Sequence, residues 1–248
     1  MSRNTRIFIV TFICFSWAAC TRVYIPGAVR FRDYRVYNLR TDTAMQQWLS
    51  PFSDSLNKTM NRPLAVLETD LEKASPEGTL GNLMADALYQ QAQFHYGRKP
   101  DIAFMNNGGI RLPLIKAGVI TTGKIYELFP FDNMLVLVQL KGTVLQQFLD
   151  HIAGRGGWPV AGMTMQIMNK KAVQVSIGGK PLDENRTYTI ALGDYTANGG
   201  DDAWMLKGLP QENKGVLMRD ALIEYVELFG KQNKPIRVQL EKRVIYVE

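Results

Sequence analysis

The sequence predicts an α+β fold, with mixed helices and sheets in layers. Three observations carry this expectation. Apolar residues recur at helical spacing in several stretches. Apolar runs of strand length stand between them and gather in the second half of the chain. The two kinds of segment follow one another without a strict βαβ rhythm, which argues against a doubly wound sheet. At 248 residues, with 46% apolar and 21% charged content, the chain is long enough for a substantial core. It has no low-complexity tract, fixed-period repeat or linker, so residues 43–248 read as one domain.

The elements follow in order. Residues 21–42 read as a tether or leading strand, broken by Pro26-Gly27. From Thr43, the positions Met45, Trp48, Leu49, Phe52, Leu56 and Met60 recur at helical spacing, and Pro51 is expected to kink or restart that helix. Pro63 closes it, and Leu64 to Leu67 reads as a strand. Gly81-Asn82 opens a second helix with Leu83, Ala87, Leu88 and Ala92 as its buried stripe, ending at Gly97 to Pro100. Ile102 to Met105 is a short strand that delivers the loop Asn106 to Arg111. Thr121 or Thr122 caps a short helix, Ile125 to Phe129. Met134 to Leu140 is a strand, and Thr143 to Ala153 a helix with Val144, Phe148 and Ile152 on one face. Beyond Gly156-Gly157, three runs read as antiparallel strands: Met163 to Ile167, Val173 to Ile177 and Tyr188 to Leu192. Turns are expected at Asn169-Lys170 and Gly178-Gly179. A last helix is expected over Gly215 to Phe229, then strands near Ile236 to Leu240 and Val244 to Val247.

The first residues read as a targeting segment. Arg3 and Arg6 precede an apolar run, Ile7 to Ala19, of 13 residues. A membrane-spanning helix needs roughly 20. Ala18-Ala19 stands directly before Cys20, the pattern of a lipoprotein signal, so residues 1–20 are expected to direct export and lipidation at Cys20. Cys14 lies within that segment, and the mature chain would then carry Cys20 alone, with no intramolecular disulfide. The formal charge of +6 would fall to +4 without Arg3 and Arg6. Arg22, Arg30, Arg32, Arg35 and Arg40 hold much of the excess. No nucleic-acid module follows them, so they read as a solvated tether near anionic head groups. The expected location is a bacterial cell envelope, facing the periplasm.

Three segments look built for a ligand: Asn106-Asn107-Gly108-Gly109-Ile110-Arg111, Pro130-Phe131-Asp132-Asn133, and Asp194-Tyr195-Thr196-Ala197-Asn198-Gly199-Gly200-Asp201. Each sets a polar or aromatic anchor beside glycines or a proline, which suits a rigid pocket for a flat, polar molecule. Arg111 carries a planar fork for carboxylate, phosphate or ribose hydroxyls, or is a surface charge after a turn. Phe131 after a proline is a stacking face or a core residue. Tyr195 enters a turn and is the more exposed of the two aromatics. Asp201 can accept from hydroxyls, although Asp202 beside it competes for that role. The two histidines, His95 and His151, stand in no metal-ligand or triad spacing and read as solvated residues near helix ends.

Together these segments resemble the carboxy-terminal domain of the 5'-nucleotidase family, which includes UDP-sugar hydrolase and 2',3'-cyclic phosphodiesterase. Gly81 to Ala87, Gly118-Val119-Ile120-Thr121 and Leu140-Lys141-Gly142 belong to the same pattern, and the likeness runs over roughly residues 60–248. It implies that Phe131 and Tyr195 stack on the two faces of a base and that Asn106 bonds the base edge. Arg111 would meet ribose or the first phosphate, and Asp201 the ribose hydroxyls. Tyr195 stands where many members have phenylalanine. An arginine that members often carry a few residues before the second helix is missing from Lys73-Ala74-Ser75-Pro76-Glu77. Lys73 would replace it only as a mobile point charge.

The family's dinuclear metallophosphatase domain has no counterpart here, and two scattered histidines cannot build such a site. The resemblance therefore implies the nucleotide-recognition half of a split phosphoester hydrolase. Neither a cofactor nor a catalytic residue is expected in this chain. A separate metallophosphatase chain would bring the divalent metals. The alternatives are a stand-alone nucleoside- or nucleotide-binding lipoprotein and a structural envelope protein whose site has decayed.

Overall fold

The computed structural model describes residues 42–247, so the expectations for residues 1–41, Cys20 included, lie outside the described residues. The chain divides into two units, Met1–Gln47 and Trp48–Glu248.

Helix α1 (Thr43–Met60) continues through Pro51 without a break. None of its residues is buried, and Trp48, Phe52 and Leu56 are all exposed. Then come β1 (Pro63–Leu67), β2 (Leu71–Glu72), α2 (Thr79–Tyr96), β3 (Ile102–Phe104), β4 (Leu114–Ile115), β5 (Gly118–Thr121) and α3 (Thr122–Leu128). The cap of α3 is Thr121, whose hydroxyl accepts from the Lys124 amide at 3.3 Å. Helix α2 ends on Gly97 at φ 68°, a left-handed stop that favours glycine. The order continues with β6 (Met134–Lys141), α4 (Gly142–Gly154), β7 (Val160–Ala161), β8 (Met163–Met168), β9 (Lys171–Ile177), β10 (Lys180–Pro181) and β11 (Thr187–Gly193). The last elements are α5 (Asp194–Ala197), β12 (Gln211–Leu217), α6 (Met218–Lys231) and β13 (Val244–Tyr246).

The centre is a five-stranded sheet in the order β12-β6-β11-β3-β7. Its period-two alternation feeds two cores. Ala103, Met105, Leu135, Leu137 and Ala191 point to one face, which α2 and α6 cover. Ile102, Phe104, Val136, Val138, Ile190 and Leu192 point to the other, where they meet α4 and the four-stranded sheet β10-β9-β8-β13. Two small antiparallel pairs, β1-β5 and β2-β4, complete the layers.

Some expectations need correction. Tyr188 to Leu192 does not join the β8-β9 hairpin. As β11 it lies antiparallel to β6 and parallel to β3, inside the central sheet. The helix expected from Gly215 begins at Met218. The residues before it form β12, whose polar sequence Gln-Glu-Asn-Lys carries no alternation because it is an exposed edge strand. The segment 236–240 makes one bridge, Ile236 with Leu67, and no strand forms there. Only Ile236 of that run is buried, so one bridge satisfies what burial demands.

Candidate functional site

All five residues singled out from the sequence line one cavity of about 300 Å³, together with Gly108, Gly109 and Asn133. Three strand ends deliver them. β3 runs out into Asn106, β6 starts just after Phe131, and β11 leads straight into α5, which carries Tyr195.

Asn106 is buried, and its amide Nδ2 donates to Asp201 Oδ2 at 2.7 Å. The chain then turns tightly over Asn107–Gly109. A side chain at Gly109 would meet Met105 Cε, Asn106 Oδ1 and Phe129 within 3.0 Å, so only glycine lets the backbone close down there. Asn107 donates to the Gly157 carbonyl at 2.9 Å and tethers the far side of the turn. Arg111 lies at the mouth and is exposed. Its backbone is fixed by the Leu128 carbonyl at 2.9 Å, while its guanidinium makes a long, 3.4 Å contact to the Gly108 carbonyl. That guanidinium sits 5.8 Å from the Phe131 ring centroid.

Lys73 stands close by. Its ammonium donates to the Ile110 carbonyl at 2.9 Å. Its pKa is pulled below the ordinary lysine value, first by burial and then by the charge of Arg111. Two cations thus share this end of the site.

Phe131 is 36% exposed, so it is not a core phenylalanine, although its edge packs on buried Phe129 at 5.5 Å. Arg219, which the sequence reading missed, secures this loop. It is buried, donates to the Phe131 carbonyl at 3.1 Å and to Asp132 at 2.7 Å, and lies over the Tyr126 ring. Tyr195 is 47% exposed. Asp194, also missed, accepts from the amides of Met134 at 3.0 Å and Tyr195 at 2.8 Å. It therefore ties the Phe131 and Tyr195 arms together. Its signal was an aspartate opening a helix straight after a strand.

Asp201 and Asp202 are now distinguishable. Asp201 turns its carboxylate inward, to Asn106 and to the Tyr195 hydroxyl at 3.3 Å. Asp202 is exposed and pairs with Arg155 outside the cavity. The histidine expectation needs correcting, because neither ring is merely solvated. His95 pairs with Glu224 at 2.7 Å, and neither residue lines the cavity. His151 is half-buried and donates from Nε2 to the Asp201 carbonyl at 2.9 Å. Among the described residues, no group of three or more His, Cys, Asp or Glu side chains can hold a metal ion, so they do not fit a dinuclear centre.

The cavity thus brings two exposed aromatic rings, an amide–carboxylate pair and the Arg111 guanidinium together, with Lys73 close by, groups that can hold a flat, polar molecule. Comparison with known proteins gives the fold a family. Residues 58–208 match the family model "5'-nucleotidase, C-terminal domain", and the chain belongs to this family. It is 31% identical over 211 residues to a 5'-nucleotidase of Vibrio vulnificus, covering 81% of this chain and 36% of that protein. It is 30% identical over 207 residues to Protein UshA of Yersinia enterocolitica, covering 79% of this chain and 36% of that one. The fold is similar to a 5'-nucleotidase precursor from Thermus thermophilus, with a TM-score of 0.72 at 26% identity, over 84% of this chain and 44% of the other. The chain thus spans little more than a third of the length of these curated relatives.

Proposed function

We propose that this chain is the nucleotide-recognition half of a 5'-nucleotidase-type phosphoester hydrolase, with divalent metals and hydrolysis supplied by a separate metallophosphatase chain. One observation carries the reading. Phe131 precedes β6 and Tyr195 follows β11, antiparallel neighbours whose register sets these two ends side by side, and both residues leave ring surface open to one cavity that Asn106 and Asp201 also line. Each can stack on a base, Asn106 Oδ1 remains free to accept from a base edge, and Asp201 can accept from ribose hydroxyls. Arg111, with Lys73 behind it, faces the phosphate. The contribution to rate is proximity: the nucleoside is held so that its phosphoester meets the metals of the partner.

The deciding experiment measures hydrolysis of adenosine 5'-monophosphate by the purified chain, by a metallophosphatase lacking this domain, and by the two mixed. The chain alone is expected to be inactive with or without divalent metals, and the mixture to exceed the metallophosphatase alone. Metal-dependent turnover by the chain alone refutes the reading. Calorimetric binding of adenosine with no gain in the mixture would support a nucleoside-binding lipoprotein without catalysis.

Anchoring in a bacterial envelope is part of the same proposal and rests on Ala18-Ala19-Cys20 after a short apolar run. Among the described residues, no helix is long and apolar enough to cross a membrane. Cys20→Ser should release the protein from the membrane fraction or block its maturation. A wild-type protein recovered soluble and unlipidated overturns the anchor.

A further inference from the structure

We infer that His151 is the positioning residue of the pocket, acting through Asp201; the inference rests on the proposed nucleoside site. Asp201 and Asp202 are consecutive non-glycine residues at φ 52° and 58°, a left-handed conformation that side chains disfavour. Such a turn persists only if its surroundings hold it. Inside the cavity, Asn106 and the Tyr195 hydroxyl hold the Asp201 carboxylate. Behind it, α4 supplies the opposing grip. His151 lies in the last turn of α4, and Arg155 is the residue just past its end. His151 Nε2–H donates to the Asp201 carbonyl at 2.9 Å, and Arg155 pairs with Asp202. The carbonyl accepts only, so the proton resides on Nε2. The ring is set edge-on against buried Trp158, with centroids 6.2 Å apart, which fixes the direction of its donor. The exposed Arg155 pair is weak in solvent. His151, half-buried, is the firmer pin. It never reaches the cavity, yet it fixes the backbone that aims the Asp201 carboxylate.

The test pairs His151→Phe, which keeps an aromatic ring without the donor, with His151→Gln, whose Nε2–H reaches to a similar depth. Adenosine affinity is measured by calorimetry alongside thermal melts. We expect His151→Phe to weaken adenosine about three- to tenfold, as the loss of one hydrogen bond allows. His151→Gln should recover wild-type affinity to within about twofold, and in an Asp201→Ala background His151→Phe should change nothing further. Equal weakening by both substitutions, an undiminished effect in that background, or unchanged affinity in His151→Phe overturns the inference. If His151→Phe does not fold, the His151→Gln comparison decides between rescue and loss. If the wild-type chain binds no adenosine, the nucleoside reading fails, but the clasp remains testable by hydrogen exchange. The Ala203 amide closes this loop on the Gly200 carbonyl at 3.1 Å. Its exchange should quicken in His151→Phe and return in His151→Gln, and unchanged exchange in His151→Phe refutes the clasp itself.

Discussion

Gly200→Ala should disable the base clamp without touching an aromatic residue. A Cβ at position 200 would lie 2.5–2.6 Å from three carbons of the Tyr195 ring. Carbon atoms in favourable contact sit about 3.5–4.0 Å apart, so the ring must retreat by about 1 Å or swing away. It is free to do so, because Tyr195 is 47% exposed. Retreat also stretches the hydroxyl's bonds to the Asp201 amide, now 3.2 Å, and carboxylate, now 3.3 Å. Gly200 itself has no left-handed φ, so alanine suits its backbone and should not weaken the fold. The loss then falls on stacking, worth about 1–3 kcal/mol, or about 5- to 150-fold in affinity. Calorimetric titration with adenosine reads the loss, and a thermal melt checks the fold. Adding Tyr195→Ala to Gly200→Ala should cost little more than either change alone. Affinity within twofold of wild type, or a collapsed melt, refutes the view that Tyr195 is a clamp poised against this glycine.

Phe131→Ala should weaken adenosine by up to about a hundredfold, while costing less stability than the about 3–5 kcal/mol of a core phenylalanine; a full core-sized loss in thermal or denaturant unfolding would return it to packing. Arg243→Ala should destabilise the fold by about 1.5–3 kcal/mol in denaturant unfolding, because it leaves half-buried Asp86, bonded at 2.7 and 2.9 Å, without its partner. The double change Arg243→Ala with Asp86→Ala should cost less, and simple additivity refutes the coupling. Tyr225 gives a pH test. Burial first, and then the charge of Asp86, pushes its hydroxyl up to about 12, so the folded protein keeps a proton that the unfolded chain releases near pH 10. That stability is complete below about pH 10 and is lost as pH rises towards 12. Tyr225→Phe should therefore show a shallower fall of Tm over this window, and a parallel fall in both proteins refutes it.

What the sequence revealed of the fold followed local physics. Strands that feed a core on both faces, such as Met134–Lys141, are nearly continuous apolar runs and were visible at once. Pairing was not. That Thr187–Gly193 should lie parallel to Ile102–Phe104 depends on contacts about ninety residues apart, to which periodicity is blind. The edge strand Gln211–Leu217 was hidden by its exposure, since neither face needs apolar residues. The site was legible as three glycine- or proline-marked segments, but their convergence and their roles came from resemblance alone. The resemblance alone chose Asp201 over Asp202, and what separates the two in the structure is their partners, Asn106 for Asp201 and Arg155 for Asp202. Arg219 left no sequence signal, because a buried arginine under a loop reads like any helix-surface charge.

The supports beneath the site are unevenly spread, and this shapes what it can do. The Asn106 amide is locked to Asp201, the Phe131 loop to Arg219, and the Tyr195 backbone to Asp194. Each support is buried or bonded on more than one side, so the end of the pocket that the proposed function gives to base and ribose is organised beforehand and would lose little ordering entropy to a ligand. Arg111 contrasts with this. Its side chain is exposed and lightly held, and the Lys73 beside it is already committed to a backbone carbonyl. An unrestrained guanidinium can follow a phosphate over several ångströms, and a committed ammonium cannot. The pocket therefore combines a fixed aromatic and amide–carboxylate end with an adaptable cationic end. Under the proposed function, such a division would hold a base in register while the phosphoester moved into place on the metallophosphatase.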